Sequence, residues 1–154
     1  VYLRFGRPKV PNFTAENQNF EIGKAICLKD GKDVSIFATG HLVWEAMEAQ
    51  KSLQEKGISA EIINIHTIKP LDEKSILKSV VKTKCVVSAE EHMLNGGLGD
   101  SISQYLSRNH PTPIEMVGVN DTFGESGKPK ELMAKYGLDS QSIIKAALKV
   151  VKRK

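Results

Sequence analysis

Four short apolar runs, "DVSIFATG", "AEIINI", "KCVVSA" and "IEMVGV", are separated by segments in which apolar residues return every three or four positions. This alternation constrains the fold more than any other feature. Strand-like runs interleaved with helices of period 3.6 call for an open, mostly parallel sheet with crossover helices on both faces. "KCVVSA" shows no polar alternation, so both of its faces are expected to be covered.

A fifth run, "KAICL", precedes the first across "KDGK". An Asp-Gly turn between β-rich runs predicts a hairpin, which would make one strand antiparallel. In the first helix Leu42, Ala46, Ala49 and Leu53 share a face, and Gly57 stops it in a left-handed cap. Asp72 is placed to cap a helix over about 73–82 that turns Ile76, Leu77, Val80 and Val81 inward. Leu98, Ile102 and Leu106 line the next helix, and the short helix "KELMAKY" ends at Gly137. A last helix over about 140–152 faces the core with Ile143, Ile144, Ala147, Leu148 and Val151. Residues 1–20 read as a short strand "VYLRF" and a linker broken by Pro8, Pro11, Asn12, Asn17 and Asn19. The element order is β-β-α-β-α-β-α-β-α-α.

The chain has 154 residues, enough for one domain with a core. No apolar run approaches the ~18–20 residues of a membrane span, and the first residues lack a signal-peptide pattern. The formal charge of +4 gathers largely in the terminal "KVVKRK", and aromatics are 6% of residues. No basic stripe interleaved with aromatics appears, so neither nucleic acid nor a membrane is an expected partner. Cys27 and Cys85 sit inside strand-like runs and are expected to be buried, reduced and inert. No metal-ligand spacing occurs, and a cytoplasmic setting follows. The chain starts at Val1 rather than Met, consistent with a piece of something longer.

The stretch "NGGLGDSISQYL", residues 95–106, tests whether a phosphate is held here. The dinucleotide fingerprint G-x-G-x-x-G finds Gly97 and Gly99 but Ile102 in its third position. Asp100 stands in or beside the first helical turn, where its carboxylate offsets the helix dipole and repels a phosphate. The glycines are therefore expected to serve a tight turn and close helix–strand approach. In "ATGHLVWE" the N–H groups of Thr39 and Gly40 and a protonated His41 could face an anion, against a capping or surface role for His41.

"TIKPLDEKSI", "SAEEHMLNGGLGDSI" and "GESGKPKELMAKYGLD" occur in the order found in the C-terminal domain of transketolase, which the chain resembles over nearly its whole length. The opening "YLRFGRPKVP" resembles the end of the preceding pyrimidine-binding domain. The implied boundaries are 1–20 for that end and linker, and 21–154 for the C-terminal domain. The resemblance implies a three-layer α/β/α fold, with a five-stranded, mostly parallel sheet containing one antiparallel strand. It implies a role in transferring two-carbon ketol units between sugar phosphates, as part of an enzyme that uses thiamine diphosphate and Mg2+. "GLGD" is not the Gly-Asp-Gly metal–diphosphate motif, so cofactor and metal are expected in missing domains or a partner subunit. This fragment alone is expected to be inactive, and the complete enzyme to be a homo-oligomer, a dimer in the family. The alternatives are the equivalent domain of a deoxyxylulose-phosphate synthase or of a 2-oxo-acid dehydrogenase beta subunit, and a free-standing anion-binding or regulatory module.

One site residue carries over from the resemblance: Arg7, in "LRFGRP", matches the family's arginine that reaches the substrate's terminal phosphate. A guanidinium fork suits that task. Arg4 competes, and a separation of three along a strand puts the two side chains on opposite faces. Glu90, Glu91 and His92 end a strand where open α/β sheets bind ligands, and a Glu-His pair could do acid–base work. A loop-ordering or interdomain contact is the weightier expectation for them. His66 reads as structural, Lys128 as a solvated loop lysine, and Trp44 and Met47 as packing.

Overall fold

The computed structural model describes Tyr2 and residues 10–154. Among them the expected order holds: β1 (Ile26–Lys29), β2 (Val34–Ala38), α1 (Leu42–Glu55), β3 (Ala60–Asn64), α2 (Glu73–Thr83), β4 (Val86–Met93), α3 (Leu98–Asn109), β5 (Ile114–Val119), α4 (Pro129–Lys135) and α5 (Ser140–Val151). The sheet runs β1-β3-β2-β4-β5, with β1 antiparallel to β3 and the other pairs parallel. The expected "VYLRF" strand falls almost entirely outside the described residues.

Strand period decides the layers. Val34, Ile36 and Ala38 of β2, with Val87 and Ala89 of β4, pack against α1 and α5. Phe37 and Val86, with Ile63 of β3, pack against α2 and α3. Residues 85–90 are all buried, as the unbroken apolar run predicts. Gly57 and Gly137 follow their helices with φ of 77° and 66°.

The hairpin is corrected. β3 lies between β1 and β2, buried along its full length. Burial of "AEIIN" outweighs the local turn preference and gives that strand an inner place. The Asp30-Gly31 turn instead carries the chain over the start of β3. Lys32 and Asp33 donate their N–H groups to the Ser59 carbonyl at 3.0 and 2.8 Å, and Ser59 N–H donates to the Asp33 carboxylate at 2.8 Å.

Two burial expectations also change. Val81 is 56% exposed, while Ser79 and Thr83 turn inward with Ile76 and Val80. Polar partners on the sheet explain that phase. Ser35 Oγ lies 2.5 Å from both Ser79 Oγ and Thr83 Oγ1, and the Ser79 hydroxyl donates to Glu61. Lys82 closes the seam with bonds of 2.7 Å to Glu61 and 2.5 Å to Asp30. Cys27 is exposed because β1 is an edge strand that turns alternate residues outward, whereas Cys85 is buried; both are free thiols. Partial desolvation of its sulfur against the sheet, then the nearby Glu61 and Asp30 carboxylates, pushes the Cys27 thiol up, which weakens it as a nucleophile.

Asp72 caps α2 as expected. Its carboxylate accepts from Ser75 N–H at 3.2 Å, the Ser75 hydroxyl at 2.7 Å and Ala25 N–H at 2.9 Å. Burial pushes this carboxyl up, but those hydrogen bonds outweigh it and hold it below its ordinary value. Glu115 of β5 behaves alike: burial is overcome by bonds from Lys149 and Arg153 of the chain's last turns. Both folded values lie below the unfolded ones, near about 4 for such groups. Their stabilisation is therefore complete above about pH 4.5 and lost as pH falls through the folded values. Urea unfolding between pH 7 and 3 is expected to show this fall. It should be shallower in an Asp72→Asn, Glu115→Gln double variant, and an equal fall in that variant would assign it to other groups.

Candidate functional site

The connection from β2 through α1 reaches β3 on one side of β2, and the next crossover, through α2, reaches β4 on the other. Strand order thus reverses between β2 and β4, and the carboxyl ends of such strands are where open α/β sheets take ligands. Three pieces of chain meet there: residues 39–41, residues 90–92 and the glycine turn that opens α3.

The chain's own side chains occupy the place. Thr39 donates its N–H to the Ala89 carbonyl at 3.1 Å. His41 Nδ1 lies 2.7 Å from Glu91 Oε2, bridging the β2–α1 turn and β4. Glu90 is 1% exposed, and its carboxylate accepts from Leu98 N–H at 2.7 Å and Gly99 N–H at 2.8 Å. A negative group thus sits on the positive end of α3. Gly97, the N-cap, makes room for it: a Cβ there would lie 2.1 Å from Glu90 Oε2. Asp100 accepts from Gly96 N–H at 2.6 Å and braces the turn.

The glycines therefore serve close approach, as expected, but the group that meets the helix dipole is Glu90 as well as Asp100. Sequence reasoning missed this role because it treated Glu90, Glu91 and His92 as one group. Strand alternation sends Glu90 under α3 and Glu91 towards His41. A signal was present: a glycine N-cap has no side-chain acceptor, so buried N–H groups behind it need a carboxylate from elsewhere. The residues at this turn do not fit a diphosphate, whose oxygens would need the N–H groups already given to Glu90. Among the described residues no group of three or more His, Cys, Asp or Glu is arranged to hold a metal.

His92 is exposed and its Nδ1 lies 2.9 Å from the Met93 carbonyl, so the structure does not bring it against Glu90. His66 follows β3; its Nδ1 is 2.9 Å from Thr67 Oγ1 and its ring is 4.4 Å from Phe20, while Nε2 is buried with no hydrogen-bond partner among the described residues. Lys128 is the N-cap residue of α4, 3.5 Å from Glu131 and largely exposed. Met47, on α1, packs against the core, and the Lys51 ammonium lies 5.9 Å from the Trp44 ring. Arg7 and Arg4 lie outside the described residues. No helix among the described residues is long and apolar enough to cross a membrane.

Fold and crevice define a three-layer α/β/α domain whose usual ligand position is packed with its own carboxylates. The sequence model of the transketolase C-terminal domain matches residues 23–143, and the chain belongs to that family. The chain is 44% identical, over its whole length and 48% of the relative's, to the 6-deoxy-6-sulfo-D-fructose transketolase subunit SqwH of Clostridium sp. (strain MSTE9). It is 41% identical to the 1-deoxy-D-xylulose-5-phosphate synthase of Halothermothrix orenii (strain H 168 / OCM 544 / DSM 9562), over 98% of this chain and 24% of that enzyme. A solved split-gene transketolase, described as an inactive beta4 tetramer, superposes with a TM-score of 0.90 at 40% identity, over 93% of this chain and 47% of that one. The chain thus spans about half the length of the Clostridium subunit and of the split-gene structure.

Proposed function

We propose that the chain serves as the non-catalytic C-terminal domain of a transketolase that moves two-carbon ketol units between sugar phosphates. Residues 1–20 then complete a preceding domain and its linker, and 21–154 form this domain. Thiamine diphosphate and Mg2+ are held by the other domains or by a partner subunit, in a cytoplasmic homo-oligomer. The observation that carries the reading is the Glu90 carboxylate on the N-terminus of α3, at 2.7 and 2.8 Å from two N–H groups. It takes the position that an α/β domain would offer to an anionic cofactor. Family membership supports the chemistry assigned to the rest of the enzyme. The 41% identity to a deoxyxylulose-phosphate synthase supports a second reading, the same domain in an enzyme of that type.

Arg7 is the residue of this chain proposed to touch substrate, through two charge-assisted hydrogen bonds to the terminal phosphate. In the assembled enzyme, Arg7→Ala is expected to raise KM for phosphorylated sugars about tenfold or more, with kcat little changed. That is the worth of a charged hydrogen bond, ~1.5–3 kcal/mol. Steady-state ketol-transfer kinetics check it: an unchanged KM removes Arg7 from the site, and turnover of pyruvate rather than a ketose donor favours the synthase.

A further inference from the structure

An asparagine followed by glycine carries a reaction of its own. The backbone nitrogen of the glycine attacks the carbonyl carbon of the asparagine side chain and closes a five-membered ring. A side chain on the second residue obstructs that attack, and glycine has none. Asn95-Gly96 is the one Asn-Gly pair in the chain. It stands in the turn between β4 and α3, and both residues are exposed.

The pair is free to react in three respects. Among the described residues the Asn95 side chain makes no hydrogen bond, whereas the Asn12 side-chain oxygen accepts from Thr14 and the Asn109 amide donates to the Tyr105 carbonyl at 2.9 Å. Gly96 has a φ of 80° and open space beside its Cα: an added Cβ would meet nothing within 4 Å. The Asp100 carboxylate accepts the Gly96 N–H at 2.6 Å. It therefore touches the proton that must leave for the nitrogen to attack.

The chain holds its own contrast. Asp30-Gly31 would close the same ring by losing water. Gly31 is buried, a Cβ there would run into the β3 backbone, and the Asp30 carboxylate is held by Lys82 at 2.5 Å. The Gly31 nitrogen has no room to turn on the Asp30 carboxyl carbon. Asn120 is exposed like Asn95, but the residue after it is Asp121, whose side chain hinders the attack.

We propose that Asn95 is a site of spontaneous deamidation in the folded protein, with the Asp100 carboxylate as the base. Asp100 takes the Gly96 amide proton as the nitrogen bonds to Asn95 Cγ. The Cγ–Nδ2 bond then breaks, and Nδ2 leaves as ammonia carrying that proton. Water opens the ring at either carbonyl, which leaves an aspartate at position 95 or its β-linked isomer. One water is consumed and one ammonia released, with no oxidant or reductant. Both products place a carboxylate just ahead of α3, on the side where the helix dipole favours it. The β-linked product also lengthens by one backbone carbon the turn that seats Gly97 over Glu90.

The test incubates residues 1–154 in warm neutral buffer, folded and, in parallel, unfolded in guanidinium chloride. Peptide mapping by mass spectrometry follows the replacement of NH2 by OH at each asparagine and separates the two products. In the folded chain Asn95 is expected to convert before any other asparagine, and at least as fast as in the unfolded chain. Asp100→Asn is expected to slow conversion at position 95 by about tenfold or more in the folded chain, and to leave the unfolded rate unchanged. Asn95→Gln, whose longer side chain closes a less favoured ring, is expected to abolish it. A folded rate well below the unfolded one means that the turn shields the Gly96 nitrogen, and overturns the proposal. A folded Asp100→Asn chain that converts as fast as the parent, or faster, makes the carboxylate a brace rather than a base, and overturns it too. The parent's ratio of folded to unfolded rates decides the site even where Asp100→Asn does not fold.

Discussion

Gly31→Ala is expected to cost about 3 kcal/mol or more, which makes one methyl group among the most damaging additions the chain could receive. A Cβ at residue 31 would stand 2.3 Å from the Ala60 carbonyl carbon and 2.3 Å from the Glu61 nitrogen. Both are backbone atoms of β3, an inner strand paired on each side, so neither can swing away as a side-chain tip would. Relief would require the turn to lift off β3. Lifting it breaks the bonds from Lys32 and Asp33 to Ser59 and the return bond from Ser59 to Asp33. For a chain of this size the loss corresponds to a melting point lower by roughly 6–12 °C. Scanning calorimetry checks it, with Gly124→Ala as the control, since a Cβ there meets nothing within 4 Å. That control is expected to stay within about 0.5 kcal/mol of the parent. A Gly31→Ala protein that melts with the control would mean that the turn does not cross β3 as closely as described.

The same glycine shows what could be read before the structure and what could not. "KDGK" has the chemistry of a hairpin turn, and nothing local contradicts it. Which strands become neighbours depends on how each buries its faces in the whole sheet, and "AEIIN" outcompeted the turn for an inner position. Element order and most helix faces were legible because amphipathic period is a local property: Leu42, Ala46, Ala49 and Leu53 are all buried as the spacing requires. The α2 face was legible only in part. Its polar half, Ser79 and Thr83, is chosen by Ser35 and Glu61, which lie on strands distant in sequence. The Glu90 cap belongs to the same class. Both ends of the contact were visible in "SAEEHMLNGGLGD", but the choice between Glu90, Glu91 and Asp100 depends on which face of β4 lies under α3. Arg7 rests on resemblance alone, and neither its residue type nor its spacing distinguishes it from a solvated linker charge.

Glu90→Ala is expected to remove about 2–6 kcal/mol, because it leaves the Leu98 and Gly99 N–H groups buried without acceptors at ~1–3 kcal/mol each. Set against a total stability of about 5–15 kcal/mol, that is a large share. Glu90→Gln keeps one oxygen acceptor and turns an NH2 group towards the other donor, so its loss should be roughly half as large. The two variants together separate hydrogen bonding from the simple loss of a filled space, since Gln is nearly the shape of Glu. Hydrogen exchange at residues 98 and 99 should accelerate in both, ahead of the rest of α3. A further consequence distinguishes a filled anion position from an ordinary buried contact. In Glu90→Ala the two freed N–H groups at the helix N-terminus, lined by Gly97 and Gly99, form the kind of place that takes an anion. Formate, the size of the lost carboxylate, is then expected to restore part of the lost stability in Glu90→Ala while leaving the parent protein unmoved, because in the parent the carboxylate already holds both donors. Equal formate stabilisation of parent and variant would place an anion site elsewhere on the domain. Full stability of Glu90→Ala without formate would mean that the two N–H groups find other acceptors, and the carboxylate would lose the structural role that its 2.7 and 2.8 Å bonds assign to it.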